Sequence, residues 1–110
     1  MGEETCELRA NPRILSDLLD YQNGAIVSKT IIDKKEGTVT LFAFDKGQGL
    51  SEHTAPYDAL VVVIDGEGVV TISGKDYMVG KNQAILMPAN EPHSIRAESP
   101  FKMLLIMIRA

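Results

Sequence analysis

Two histidines, the full histidine complement of the chain, lie in turn-rich segments where an imidazole could carry out chemistry. His53 lies within the segment 47–59, and His93 closes the segment 87–93. A neutral imidazole can bind a divalent metal, accept a proton or hydrogen-bond a small molecule, because its ordinary pKa of about 6.5 is close to neutrality. The two residues are far apart in sequence, so a shared site depends on the fold.

Two further residues are candidates for a pocket around these histidines. The phenol of Tyr57 can donate a hydrogen bond to a ligand, although a tyrosine at a pocket mouth also serves as amphipathic packing. The flexible, apolar side chain of Met87 suits the wall of a pocket. If no bulge intervenes, strand parity places Tyr57 on the same side as His53 and directs Glu52 and Asp58 away from it. A bulge would reverse that arrangement.

The elements that must position these residues are predicted to be β-strands. Asp65-Gly66 and Ser73-Gly74 split the region between the histidines into short apolar runs, and such dipeptides favour tight hairpin turns. The predicted strands are 25–32, 38–44, 59–64, 69–72, 77–79, 84–87, 93–97 and 101–108. Turns that recur about every 8 to 12 residues predict an all-β sandwich or barrel.

A short amphipathic helix is predicted before the first strand. Asn11 supplies an N-cap and Pro12 suits the first helical position. The apolar residues that follow share one helical face; they are Ile14, Leu15, Leu18 and Leu19. We therefore divide the chain into an N-terminal arm with this helix (1–24) and a β-domain (25–110).

Two strands are apolar on both faces, which predicts a cover for the outer face of the sheet. In 59–64 and 103–108 every residue is apolar, whereas alternate residues of a strand point to opposite faces. One face can fill the interior. The other needs a second layer, the N-terminal helix or another subunit, and we predict a homodimer.

Composition excludes several function classes. A chain of 110 residues suits one domain, and its net charge of −4 with scattered basic residues disfavours nucleic-acid binding. It has neither a membrane-length apolar run nor an N-terminal signal core, so we predict a cytoplasmic protein. Cys6 is the single cysteine, which excludes an intrachain disulfide and suits a reducing compartment. We interpret it as an incidental thiol rather than a nucleophile.

Residues 37–108 resemble the small cupins, which are single-domain β-barrels defined by two motifs. The first motif (47–66) is matched by Gly47, five intervening residues, His53 and the turn Asp65-Gly66. The second motif (80–97) is matched by Gly80, Pro88, Asn90 and His93. The resemblance implies a double-stranded β-helix, or jelly-roll barrel, with both histidines directed into its interior.

The resemblance also implies where metal ligands should stand. A cupin metal centre has three imidazoles and one carboxylate or amide around an open position. His53 and His93 match two of the imidazoles. The third falls on Ala55 and the carboxylate or amide on Ala59 or Leu60, which have no donor atoms. We therefore expect His53 and His93 to hold a divalent metal weakly.

Two function hypotheses follow, and they differ in whether a metal takes part. In the first, the protein binds or senses a small molecule in a pocket formed by His53, Tyr57, Met87 and His93, without a tightly held cofactor. In the second, it is a metal-dependent isomerase, decarboxylase or oxygenase whose two-histidine site is completed by substrate or water. The missing ligands favour the first hypothesis, and the enzyme hypothesis stays open. A purely structural barrel is the third reading, which the retained pair of histidines disfavours.

Overall fold

Strands account for most of the chain in the computed structural model, which describes residues 7–109. Cys6 lies outside the described residues. Within them the strands are β1 (Ile26–Lys34), β2 (Gly37–Phe44), β3 (Gly49–His53), β4 (Ala59–Asp65), β5 (Glu67–Ile72), β6 (Lys75–Gly80), β7 (Ala84–Met87), β8 (His93–Arg96) and β9 (Phe101–Ile108). In the same range, no helix has the length and apolar character needed to cross a membrane.

The strands form two antiparallel sheets that face each other. One sheet has the order β1-β2-β9-β4-β7 and the other the order β3-β8-β5-β6. Strands distant in sequence, such as β2 and β9, are neighbours in space, which is the strand exchange of a jelly-roll barrel. The predicted all-β jelly-roll fold is therefore confirmed.

The predicted N-terminal helix is only a single 3₁₀ turn, Leu15–Asp17. Ile14 has an extended conformation and stands 67% exposed, and the Asn11 amide donates to the carbonyl of Glu7 instead of capping a helix. So short a segment gains too little from its own hydrogen bonds to form an α-helix, and its contacts with the sheet decide its shape. Leu18 and Leu19 do pack against the sheet, as the apolar pattern predicts.

The arm that contains this turn is fastened to the outer face of the five-stranded sheet. The buried Lys102 ammonium donates to the carbonyl of Ser16 at 2.6 Å and lies 4.8 Å from the Tyr21 ring centre. The Tyr21 hydroxyl donates to the Asp65 carboxylate at 2.6 Å. Burial and this hydrogen bond raise the pKa of the Tyr21 phenol above its ordinary value. The arm thus covers the part of the outer face around Leu41.

A second part of that outer face is left without cover by the described residues. We call it the outer row: it comprises Ile32, Val39, Ile106, Leu60 and Leu86, one residue from each strand of the five-stranded sheet. These residues are consecutive partners across the sheet. Ile32 is 43% exposed and Leu86 51%, so an apolar band crosses the sheet from edge to edge.

The core fills the space between the sheets. Phe44 and Phe101 stack with ring centres 4.8 Å apart, and both are fully buried. Gly68 lies against this stack: a Cβ atom added there would come within 2.5 Å of two carbons of the Phe101 ring. The absence of a side chain at residue 68 therefore lets β5 approach β9.

Candidate functional site

His53 and His93 are brought together by the pairing of β3 with β8. The two residues are direct partners in this antiparallel pair. Their Nε2 atoms lie 3.2 Å apart and their ring centres 4.5 Å apart, with the rings inclined at 74°. His93 is buried, whereas His53 is exposed. The distance falls within the range of about 3 to 6 Å that two groups sharing a metal or a water would need.

The main chain fixes the orientation of both rings. His53 Nδ1 lies 2.9 Å from the carbonyl oxygen of Ser51, and His93 Nδ1 lies 3.1 Å from that of Glu91. Because a carbonyl oxygen can only accept, we assign the hydrogen of each neutral ring to Nδ1, which then donates it. In the neutral rings both Nε2 atoms are therefore acceptors, and they face each other.

The electrostatics of the pair favour the neutral form of the inner ring. Burial lowers the pKa of His93 below its ordinary value, and the neighbouring His53 lowers it further. The hydrogen bond to Glu91 acts in the opposite direction but is the smallest of the three effects. These effects together favour the neutral imidazole of His93 over the imidazolium.

A cavity of about 280 Å³ opens beside the two rings, between the sheets. All four residues predicted to form the pocket line it: His53, Tyr57, Met87 and His93. The remaining lining residues are Leu50, Thr54, Ala55, Pro56, Ala59, Ser94, Ile95, Leu105 and Met107. None of the lining residues is an aspartate, glutamate, lysine or arginine, so the walls are mostly apolar and their polar side chains are two histidines and three hydroxyls.

Two hydrogen bonds join the loops that border the cavity. The Asn90 amide donates to the Ala55 carbonyl at 2.7 Å, and the Ala89 amide donates to the Asp58 carboxylate at 2.9 Å. Asn90 has a φ of 66°, a conformation that asparagine tolerates better than most residues. The sequence pattern predicts only that Asp58 faces away from His53, and it does not predict this hydrogen bond. The donor is 31 residues away in sequence, so nothing in the residues around Asp58 predicts that its carboxylate accepts a hydrogen bond from that loop.

Comparison with known proteins identifies the family. A model of the cupin domain matches residues 40–108. This chain is a cupin. It is similar to a conserved Streptococcus pyogenes protein of unknown function, with 31% identity and a TM-score of 0.89 over 93% of this chain and 90% of that one. No curated protein matches the chain.

Other solved structures extend the likeness to longer and to more distant proteins. A cupin 2 conserved barrel domain protein from Leptotrichia buccalis shares 45% identity with a TM-score of 0.82, over 84% of this chain and 45% of that longer one. A predicted oxalate decarboxylase from Thermotoga maritima has 17% identity and a TM-score of 0.72, over 77% of this chain and 81% of that one. At that identity the likeness concerns the fold alone.

The residues expected at the two remaining metal-ligand positions differ in where they lie. Ala55 and Ala59 both line the cavity, whereas Leu60 belongs to the outer row. Within residues 7–109, no cluster of three or more His, Cys, Asp or Glu could hold a metal ion. Two nitrogens at about 2.0 to 2.1 Å from one ion would lie about 3 Å apart. The histidine spacing thus suits two ligands of one ion, but the donor set is half of what a resident metal needs.

Proposed function

We propose that this cupin binds a small, largely apolar molecule in the cavity, with its one polar group against His53 and His93. The observation that carries the proposal is the convergence of two Nε2 atoms, 3.2 Å apart, on a mostly apolar cavity. Ligand sites in proteins commonly combine apolar walls with a few polar groups that fix orientation. The cavity lies at the small end of such sites, which favours a ligand smaller than a typical drug.

The second candidate function is a metal-dependent reaction at the same histidines. It is favoured by the Nε2 spacing and by the hydrogen bonds from each Nδ1 to a carbonyl, since metal-binding histidines are commonly oriented in this way. Substrate or water would have to complete the coordination, because Ala55 and Ala59 supply no donor. The two candidates therefore differ in whether ligand binding needs added metal.

Binding of an apolar probe should be visible at the methionines of the cavity. With methyl-labelled methionine, we expect toluene to shift the resonances of Met87 and Met107, with a Kd of about 1 mM or below (~4.1 kcal/mol or more). Met78, which is 55% exposed on the other sheet, is the internal control for non-specific contact. The titration is run first with a chelator and then with Zn²⁺, and binding only with Zn²⁺ would support the second candidate.

A pair of substitutions locates the bound probe. Ala59→Leu adds a side chain into the cavity and should abolish the shifts, whereas Ala84→Leu adds the same side chain at an exposed position of neighbouring β7 and should leave them unchanged. Absence of shifts at Met87 and Met107 up to saturating toluene would contradict the proposed function.

We further propose that this cupin forms a homodimer through the outer row. The row crosses all five strands and is apolar at each of them, and Ile108, 55% exposed, extends it at β9. Soluble monomers rarely leave a large contiguous apolar patch in water. Two-fold pairing of identical faces is the commonest way to cover one.

Light scattering at micromolar concentration tests this assembly. We expect wild-type protein at about twice the 12.0 kDa chain mass and Ile106→Lys as a monomer, because a charge at the centre of the row would be buried in the dimer. Met78→Lys places the same charge on the four-stranded sheet and should remain dimeric. If the wild-type protein has the mass of a single chain, the proposed homodimer is wrong.

A further inference from the structure

With both rings neutral and their hydrogens on Nδ1, the two histidines of the site present two hydrogen-bond acceptors. Each Nδ1 hydrogen is committed to a carbonyl, that of Ser51 or that of Glu91. In that state the lone pairs of both Nε2 atoms face each other at 3.2 Å, and a donor that lies against both of them would satisfy both. The ligand group that best complements this pair is therefore a hydrogen-bond donor.

The rest of the cavity restricts the charge of that group. A buried charge needs a counter-charge, and the residues that line the cavity include no carboxylate, lysine or arginine. An ammonium group would have no anion to pair with. A carboxylate would place its oxygens against two nitrogen lone pairs. The hydroxyls of Thr54, Tyr57 and Ser94, the other polar side chains of the lining, are neutral and can serve either group.

From this we infer that the site selects a neutral hydrogen-bond donor, an NH₂ or OH group, on a compact apolar body, and discriminates against carboxylates and ammonium ions. This inference rests on the proposed small-molecule function and specifies its ligand class. The spacing of the two Nε2 atoms allows either an NH₂ or an OH group to donate to both of them. At a donor–acceptor distance of about 2.8 Å, two acceptors 3.2 Å apart subtend about 70° at the donor. The two hydrogens of a primary amide, or one shared hydroxyl hydrogen, can serve them within ordinary hydrogen-bond angles.

Benzamide and benzoate form a matched pair of probes for this selectivity. They have nearly the same shape, and they differ in carrying two hydrogen-bond donors or a negative charge. At about pH 8 and with a chelator present, we expect benzamide to bind at least tenfold more tightly than benzoate. Phenol should also exceed benzoate, and benzylammonium should bind no better than benzoate. Equal or tighter binding of benzoate would overturn the inference.

Substitution of the exposed histidine tests whether the pair is the source of the selectivity. In His53→Leu, which removes one acceptor at an exposed position, the benzamide-to-benzoate ratio should fall to about threefold or less. An unchanged ratio would show that the histidine pair is not the source of the selectivity. Long-range proton–nitrogen spectra of the wild type should show both rings protonated at Nδ1, and an Nε2–H tautomer on either ring would also contradict the inference.

The outcomes separate this inference from the function on which it rests. If neither the probes nor toluene shift Met87 and Met107, the proposed function itself fails. If toluene binds but benzoate matches or exceeds benzamide, only the ligand class is wrong.

Discussion

Replacing Ala55 by histidine together with Ala59 by glutamine is expected to raise the affinity for Zn²⁺ or Ni²⁺ by about 100-fold (~2.8 kcal/mol) or more. Both alanines line the cavity that His53 and His93 border. Their side chains would add a third imidazole and an amide oxygen to two nitrogens already spaced for one ion. Calorimetric titration measures the change, and elemental analysis gives the baseline: wild-type protein dialysed against a mild chelator should hold less than one ion per chain.

The matched control is Ala55→His with Leu60→Gln. It introduces the same two groups, but the amide falls on the outer row and cannot reach the histidines. Its affinity should therefore lie well below that of the first variant. Stoichiometric metal in dialysed wild-type protein would show that the two histidines suffice, and it would favour the metal-dependent function.

The substitution Gly68→Ala is expected to destabilise the fold by about 1–3 kcal/mol, the usual result of forcing an extra methyl group into a packed core. The added Cβ would lie 2.5 Å from the Phe101 ring. That ring is stacked on Phe44 and fully buried, so it has little room to move. Urea-induced unfolding at fixed protein concentration measures the loss.

Gly80→Ala is the control on the adjoining strand. A Cβ at residue 80 would meet the Gln83 amide oxygen at 3.5 Å, an ordinary contact. Replacing a strand glycine by alanine at such a site should stabilise by about 0.5–1 kcal/mol. If the two variants unfold at the same urea concentration, β5 has more freedom against β9 than the contact implies.

Much of the barrel could be predicted from sequence because its signals are local. Glycine-containing turns and apolar runs mark where strands begin and end, and eight of the nine strands in residues 7–109 have counterparts in the predicted set. The ninth, β3, contains one apolar residue, Leu50, among Gly49, Ser51, Glu52 and His53. A mostly exposed strand at a sheet edge leaves little hydrophobic pattern, so composition alone does not predict it.

Features that depend on tertiary contact were harder to predict. The apolar pattern of the N-terminal arm predicts the packing of Leu18 and Leu19 but not the exposure of Ile14. The backbone of the arm follows the hydrogen bond from Lys102 to Ser16 rather than helix propensity. For the site, Tyr57 lines the cavity, but it lies beyond the end of β3 at His53, where strand alternation no longer decides which way a side chain points. The spacing of the family motif leaves Ala59 and Leu60 open as the ligand position, and one residue of strand register separates the interior from the outer face.

The hydrogen bond from Asn90 to Ala55 has a consequence for how this barrel can diverge. Position 55 is held by its carbonyl oxygen, and the bond involves no side-chain atom. The backbone of the loop can therefore stay in place while the side chain at residue 55 changes from imidazole to methyl or back. Substitutions at residue 55 should accordingly change the chemistry of the cavity and leave the contact between its two bordering loops intact.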